Sequence, residues 1–298
     1  MRILCSTDLS AESLAAARLS HALVTELSTQ DEAVDLEFLH VLKQKWFHFD
    51  RGRPSPLDDP DNLARLEKQI RQWFADQIGD RGYGIKLLEG KPAAEIADYA
   101  AETDVDFLVV GQTGSGIFTG MQLGSTAYKL AHQPPCDLLI THREFSAFQR
   151  PRRLAVAVDL EEVSALGLQR AANLAQVIDA ELDIIHVVDL PGSVTSPGGL
   201  MGYLPSGNEL EAIQRQARAD LTEFLDLHDE LLEPISLHTS VVVGSPTRRI
   251  IDHARERDVD ILCLGTVSMG TLETAILGSV VSGVIRHMPC TTLLVPPR

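Results

Sequence analysis

The 298 residues predict an α/β protein of two Rossmann-like domains in tandem, each a doubly wound parallel sheet of five strands. Three observations carry this. Short apolar runs such as Phe107-Leu108-Val109-Val110 and Ile261-Leu262-Cys263-Leu264 alternate with amphipathic helical stretches. Strands apolar along their whole length belong to a parallel sheet covered by helices on both faces. The chain also repeats itself at an offset of 154 residues. Gly90 matches Gly244, Pro92 matches Pro246, Asp104-Val105-Asp106 matches Asp258-Val259-Asp260, Leu123-Gly124-Ser125 matches Leu277-Gly278-Ser279, and Pro135-Cys136 matches Pro289-Cys290. One duplicated unit accounts for all of these pairs. Finally, the glycine-rich stretch Gly111–Ser125 leaves a strand and runs into a helix, the arrangement in which bare backbone and unpaired N–H groups meet an anion.

In chain order, Arg2–Asp8 reads as the first strand, ending in an acid. A helix follows from about Ser10, with Ala15, Leu19, Leu23 and Leu27 forming a stripe at i, i+4 spacing. Val34–Leu42 is the second strand. Gln44–Asp61 reads as irregular because Pro54, Pro56 and Pro60 interrupt it. Leu63, Leu66, Ile70, Trp73 and Phe74 mark a second helix ending near Gly79, and Gly84–Leu88 a third strand. Pro92 opens the third helix, at a position where its missing N–H is harmless. The fourth strand and glycine stretch come next, then a helix over Thr126–His132 with Ser125 as candidate N-cap, then a fifth strand, Cys136–Thr141.

The expected division is a domain over 1–142, a linker over 143–152 and a second domain over 153–298. The second half runs through strand Leu154–Asp159, helix Ser164–Ile178 and strand Leu182–Val188. Pro191–Asn208 carries five glycines and prolines in its first nine residues and reads as a mobile loop. A long helix around Leu210–Leu225 and a strand at Ile235–Val243 follow. Ligands of such sheets sit at the carboxyl ends of the strands.

The formal net charge of −16 is shared, −7 over the first 150 residues and −9 over the remainder. This argues against a nucleic-acid or anionic-membrane partner. Any phosphorylated ligand must therefore be drawn in by local dipoles. No secretion signal or bilayer-spanning run is evident, and a cytoplasmic location is expected. Cys5, Cys136, Cys263 and Cys290 lie in apolar surroundings without zinc-ligand spacing and read as buried thiols; no metal site is expected.

Gly111-x2-Gly114-x9-Gly124-Ser125, with its second copy, resembles the G-x2-G-x9-G-[S/T] motif of nucleotide-binding members of the universal stress protein family. In the second copy Gly265 and Gly278-Ser279 are present, but Ser268 replaces the middle glycine. The resemblance implies an adenine nucleotide (ATP, ADP or AMP) held in the first domain by Thr7, Asp8, Val41, Gly111, Gly114, Gly124, Ser125 and Thr126. It implies a degenerate second site at Asp159, Val187, Gly265, Gly278 and Ser279. Binding would serve as a signalling or conformational cue in stress response, with at most slow hydrolysis. It further implies pairing through the last strands, either within the chain (Asp137–Thr141 with Thr291–Val295) or in a homodimer.

Other readings of these residues stand beside this one. Asp8 or Ser10 could simply cap the first helix. His40 and His186, each before a valine at the end of a second strand, read as strand-end residues without chemistry. Trp46-Phe47-His48-Phe49 could close over a base or pack on its own helices. Residues 115–123 hold no basic side chain. The counter-charge for a phosphate would then come from backbone N–H groups, Ser125, Thr126, magnesium or Lys129. No Walker motif and no nucleophile–base pair is present. The alternatives are an interaction module acting through dimerisation and, less favoured, an enzyme that cleaves ATP.

Overall fold

The computed structural model describes residues 1–27, 34–43, 55–79, 81–114, 123–142, 150–190, 206–266 and 277–297. The polypeptide divides into two compact units, Met1–Arg150 and Pro151–Arg298. The first contains β1 (Arg2–Thr7), α1 (Ala11–Leu27), β2 (Asp35–Lys43), α2 (Pro60–Ile78), β3 (Gly84–Gly90), α3 (Pro92–Glu102), β4 (Phe107–Gly111), α4 (Ser125–His132) and β5 (Asp137–Thr141). Its strands are parallel in the order β3-β2-β1-β4-β5. The central strand β1 places Cys5 opposite Phe38 of β2 and Val109 of β4. The chain leaves β1 toward β2 on one side and later returns to β4 on the other, so the topological switch lies between β1 and β4. The crevice at a switch point, outside the strands' carboxyl ends, is where such sheets take ligands.

The second unit repeats the order with β6 (Arg153–Val158), α5 (Glu162–Val177), β7 (Glu181–Val188), α6 (Gly207–Asp226), α7 (Asp229–Leu232), β8 (Leu237–Val243), α8 (Pro246–Glu256), β9 (Ile261–Gly265), α9 (Ser279–His287) and β10 (Thr291–Val295). Its strands run β8-β7-β6-β9-β10, again parallel.

Burial explains why the strands are apolar throughout. Ile3, Leu4, Cys5, Leu108, Val109, Leu138, Leu139 and Ile140 are fully enclosed in the first unit; Leu154, Val156, Ile261, Leu262, Leu293 and Leu294 are in the second. On α1 the stripe of Ala15, Ala16, Leu19 and Leu23 is buried, and its alanines let the helix lie close to the sheet. Phe38 stacks on Phe74 of α2 with ring centroids 3.7 Å apart.

Element ends differ from the sequence expectation where capping decides them. α2 begins inside the stretch read as irregular, because the Asp59 side chain accepts from Asp61 N (3.0 Å) and Pro60 occupies the first turn. The N-cap of α4 is Gly124, not Ser125, which is already helical. The one-turn helix α7 delays β8 to Leu237, with Ile235 N bonded to Leu232 O. No described helix is long and apolar enough to cross a membrane.

The repeated Asp-Val-Asp has a structural role in both units. Asp106 Oδ2 accepts from Arg2 N at 2.8 Å, and Asp260 Oδ2 accepts from Arg152 N and Arg153 N at 2.8 and 3.0 Å. Each aspartate thus ties the start of its central strand to the turn before the fourth strand.

Candidate functional site

The carboxyl end of β1 is a tight turn. Thr7 Oγ1 accepts from Leu9 N (3.0 Å) and shares a hydrogen bond with Ser13 Oγ (2.9 Å). Asp8 Oδ1 accepts from Ser10 N and Ser10 Oγ at 3.1 and 2.5 Å. Leu9 is left-handed at φ 62°, an unusual state for a side chain that branches at Cγ. The capping bond to α1 comes from Ser10, whose Oγ accepts from Ser13 N at 3.2 Å. Asp8 instead braces the turn with one oxygen, while Oδ2 faces Gly114.

That contact explains the middle glycine of the motif: a Cβ at Gly114 would collide with Asp8 Oδ2. At Gly124 a Cβ would lie 3.3 Å from Thr113 Cα and 3.4 Å from Gln112 O. Gly124 N donates to Gln112 O at 2.7 Å, so the two ends of the glycine stretch are clasped by their own backbone. Ser125 and Thr126 follow as the first two residues of α4, whose leading N–H groups have no partner within the helix. Gly111 ends β4, paired with Thr141 of β5.

These residues surround one cleft of about 210 Å³. That is many times the ~10–15 Å³ a single water needs on the same measure, enough for an organic ligand. Thr7, Asp8, Val41, Gly111, Gly114, Gly124, Ser125 and Thr126 all line it. Lys129, one of the counter-charges considered above, is not among the lining residues; it is exposed on α4. Lining residues outside the set expected from the sequence include Lys43 of β2 and Pro92 and Ile96 of α3. Lys43 is detectable in retrospect, because side chains on a strand alternate and Lys43 lies two positions past Val41. The two from α3 had no local signal, since their place depends on how that helix packs beside β2. Trp46–Phe49, residues 115–122 and Ser268 lie outside the described residues, as do the 191–205 loop and most of the expected linker.

His40 Nδ1 and Thr7 O are 2.9 Å apart, and His186 Nδ1 and Val158 O likewise. Each histidine therefore ties a second strand to the end of the central one, and Val41 is positioned beside that tie.

The second unit keeps the turn. Asp159 Oδ1 accepts from Glu161 N at 3.1 Å, and Leu160 is left-handed at φ 66°. Gly265 is required for packing, since a Cβ there would lie 2.9 Å from Val163 O of α5. Gly278 caps α9 and Ser279 begins it, but among the described residues a Cβ on Gly278 would meet open space. Val187 is half-buried on β7.

Comparison with known proteins agrees with this architecture. The profile of the universal stress protein family matches twice, at residues 1–142 and 151–296. A universal stress protein of Mycobacterium tuberculosis (strain ATCC 25618 / H37Rv) is 29% identical over 205 residues, 68% of each chain. One from Mycolicibacterium smegmatis is 24% identical over 301 residues, covering 99% of this chain and 97% of its own. Among solved structures, a universal stress protein from Archaeoglobus fulgidus DSM 4304 superposes with a TM-score of 0.64 at 20% identity, covering 99% of this chain and 98% of its own. With the family matched in both halves and the fold matched end to end, this chain belongs to the universal stress protein family as a tandem two-domain member.

Proposed function

We propose that the first unit binds an adenine nucleotide (ATP, ADP or AMP) as a conformational or signalling cue. The observation that carries this reading is the cleft in which Asp8, Gly114, Gly124 and Ser125 meet, where a Cβ at Gly114 would collide with Asp8 Oδ2 and one at Gly124 would press on the backbone of Gln112 and Thr113. Bare backbone at those two points lets an anion approach the first turn of α4, where N–H groups and the helix dipole favour negative charge. Asp8 would accept from a ribose hydroxyl or an amino group, and Val41 would give an apolar wall. Magnesium would offset phosphate charge where the helix terminus alone does not. The domains are 1–142 and 153–298, joined by 143–152, and the site at Asp159, Val187, Gly265, Gly278 and Ser279 is the weaker one.

The test is to denature protein purified without added ligand and identify any nucleotide released, then titrate ATP, ADP and AMP with and without magnesium. Gly124→Asp places a carboxylate where the anion sits, and Asp8→Ala removes the acceptor. Both should abolish uptake in protein whose circular dichroism is unchanged. Wild type that takes up nothing at millimolar nucleotide would sink the reading in favour of an interaction module acting through dimerisation.

A further inference from the structure

We infer that Lys43 reads the base of the bound nucleotide, its ammonium donating to a ring acceptor at the far end of the cleft; this rests on the nucleotide reading above. Among the described lining residues, Asp8 and Lys43 alone carry charge. They stand at the ends of adjacent strands, β1 and β2. The glycine turn and the first turn of α4 stand at the end of β4, on the other side of β1. Adjacent strands are about 4.8 Å apart, so the ends of β4 and β2 are separated by about 10 Å. That span fits a nucleoside phosphate lying across the end of β1, phosphate at β4 and base at β2.

The chemistry of the walls gives the same direction. Val41 of β2 lines the cleft together with Pro92 and Ile96 of α3, a helix packed on β2 and β3 as well as on α4. Val41 is 7% exposed and Ile96 1%. A phosphate against this surface would give up water without gaining partners, whereas a flat heterocycle gives up little. Lys43 lies two residues beyond Val41 on the same face of β2. An ammonium has three donors and no acceptor, so at an apolar wall its fitting partner is a ring nitrogen on the edge of the adenine.

Calorimetric titrations of wild type, Lys43→Met and Lys43→Arg with AMP, ADP and ATP, and with ribose 5-phosphate as the base-free probe, test this. Lys43→Met should weaken all three nucleotides by the same factor, about tenfold for a charged hydrogen bond at a partly open site. It should leave ribose 5-phosphate unaffected, and Lys43→Arg, which keeps a donor, should retain most of the affinity. Matching melting temperatures would show that both variants fold. A loss that grows from AMP to ATP, or that extends to ribose 5-phosphate, would make Lys43 a phosphate counter-ion and overturn the inference; so would no loss at all. If wild type binds none of the nucleotides, the function proposed above fails first and this inference with it.

Discussion

Gly114 and Asp8 are 106 residues apart in sequence and in van der Waals contact in the fold. Each limits the other: the carboxylate occupies the space a side chain at 114 would need, and the bare backbone lets Oδ2 reach the cleft. The cysteines show the opposite case, residues whose surroundings remove chemistry. Burial pushes the Cys5 thiol up to about 12, with Ser20 pulling weakly the other way, and burial does the same to Cys290. A thiol is nucleophilic only as thiolate. We therefore expect neither to react measurably with iodoacetamide at pH 8 in the folded protein, and both to react promptly in urea. Mass spectrometry of tryptic peptides would show it, and rapid native labelling of either would contradict the burial.

Between elements, the two units solve one problem with different groups. In the first, Glu37 on β2 accepts from Tyr99 Oη of α3 at 2.8 Å and from Arg2 Nη2 at 3.1 Å. Burial, and then the bond to Glu37, raise the Tyr99 pKa to about 12, so the donor stays protonated. In the second, the fully buried Asp183 on β7 receives Arg257 Nε at 2.8 Å and lies 3.4 Å from His253 Nε2 of α8. Tyrosine and histidine occupy repeat-equivalent positions, 154 residues apart. Burial lowers the His253 pKa; Asp183 pulls upward, while Arg257 and His238 push further down. A depressed folded pKa means that the unfolded chain takes up the proton first, near its ordinary value of about 6.5. Stability is thus full above that pH and falls as pH drops toward the folded pKa. His21, also lowered by burial and by Arg81, adds in the same direction. The urea midpoint should fall between pH 7.5 and 5.5, and His253→Gln should make that fall shallower. An equally steep fall in the variant would remove His253 as its source.

Across the whole molecule, a formal charge of −16 sets the long-range field that an anionic ligand crosses before it reaches α4. Repulsion beyond the Debye length is screened, and that length shrinks from ~30 Å at 0.01 M salt to ~8 Å at 0.15 M. Stopped-flow association of ATP should therefore speed up with added salt over that range, opposite to the behaviour of a basic nucleotide binder. A rate that falls with salt would mean that local positive charge outweighs the net field.

The sequence by itself determined the parallel α/β class, the duplication and the place of the glycine-rich stretch between the fourth strand and the helix after it. Each of these is local: apolar runs, helical stripes and glycines at set spacings respond to backbone and solvent within a few residues. It also picked out Asp8, Val41 and the glycine-motif residues, because their motif is nearly contiguous or repeats. Tertiary structure alone decided that Gly114 faces Asp8, that Ser10 rather than Asp8 caps α1, and that Lys43, Pro92 and Ile96 line the same cleft. It also decided that Tyr99 and His253 answer to carboxylates on neighbouring strands, half-buried Glu37 and buried Asp183. Those facts depend on which strand lies beside which and on how each helix is set down on the sheet. Close packing of distant segments fixes both, and no short window of residues records it.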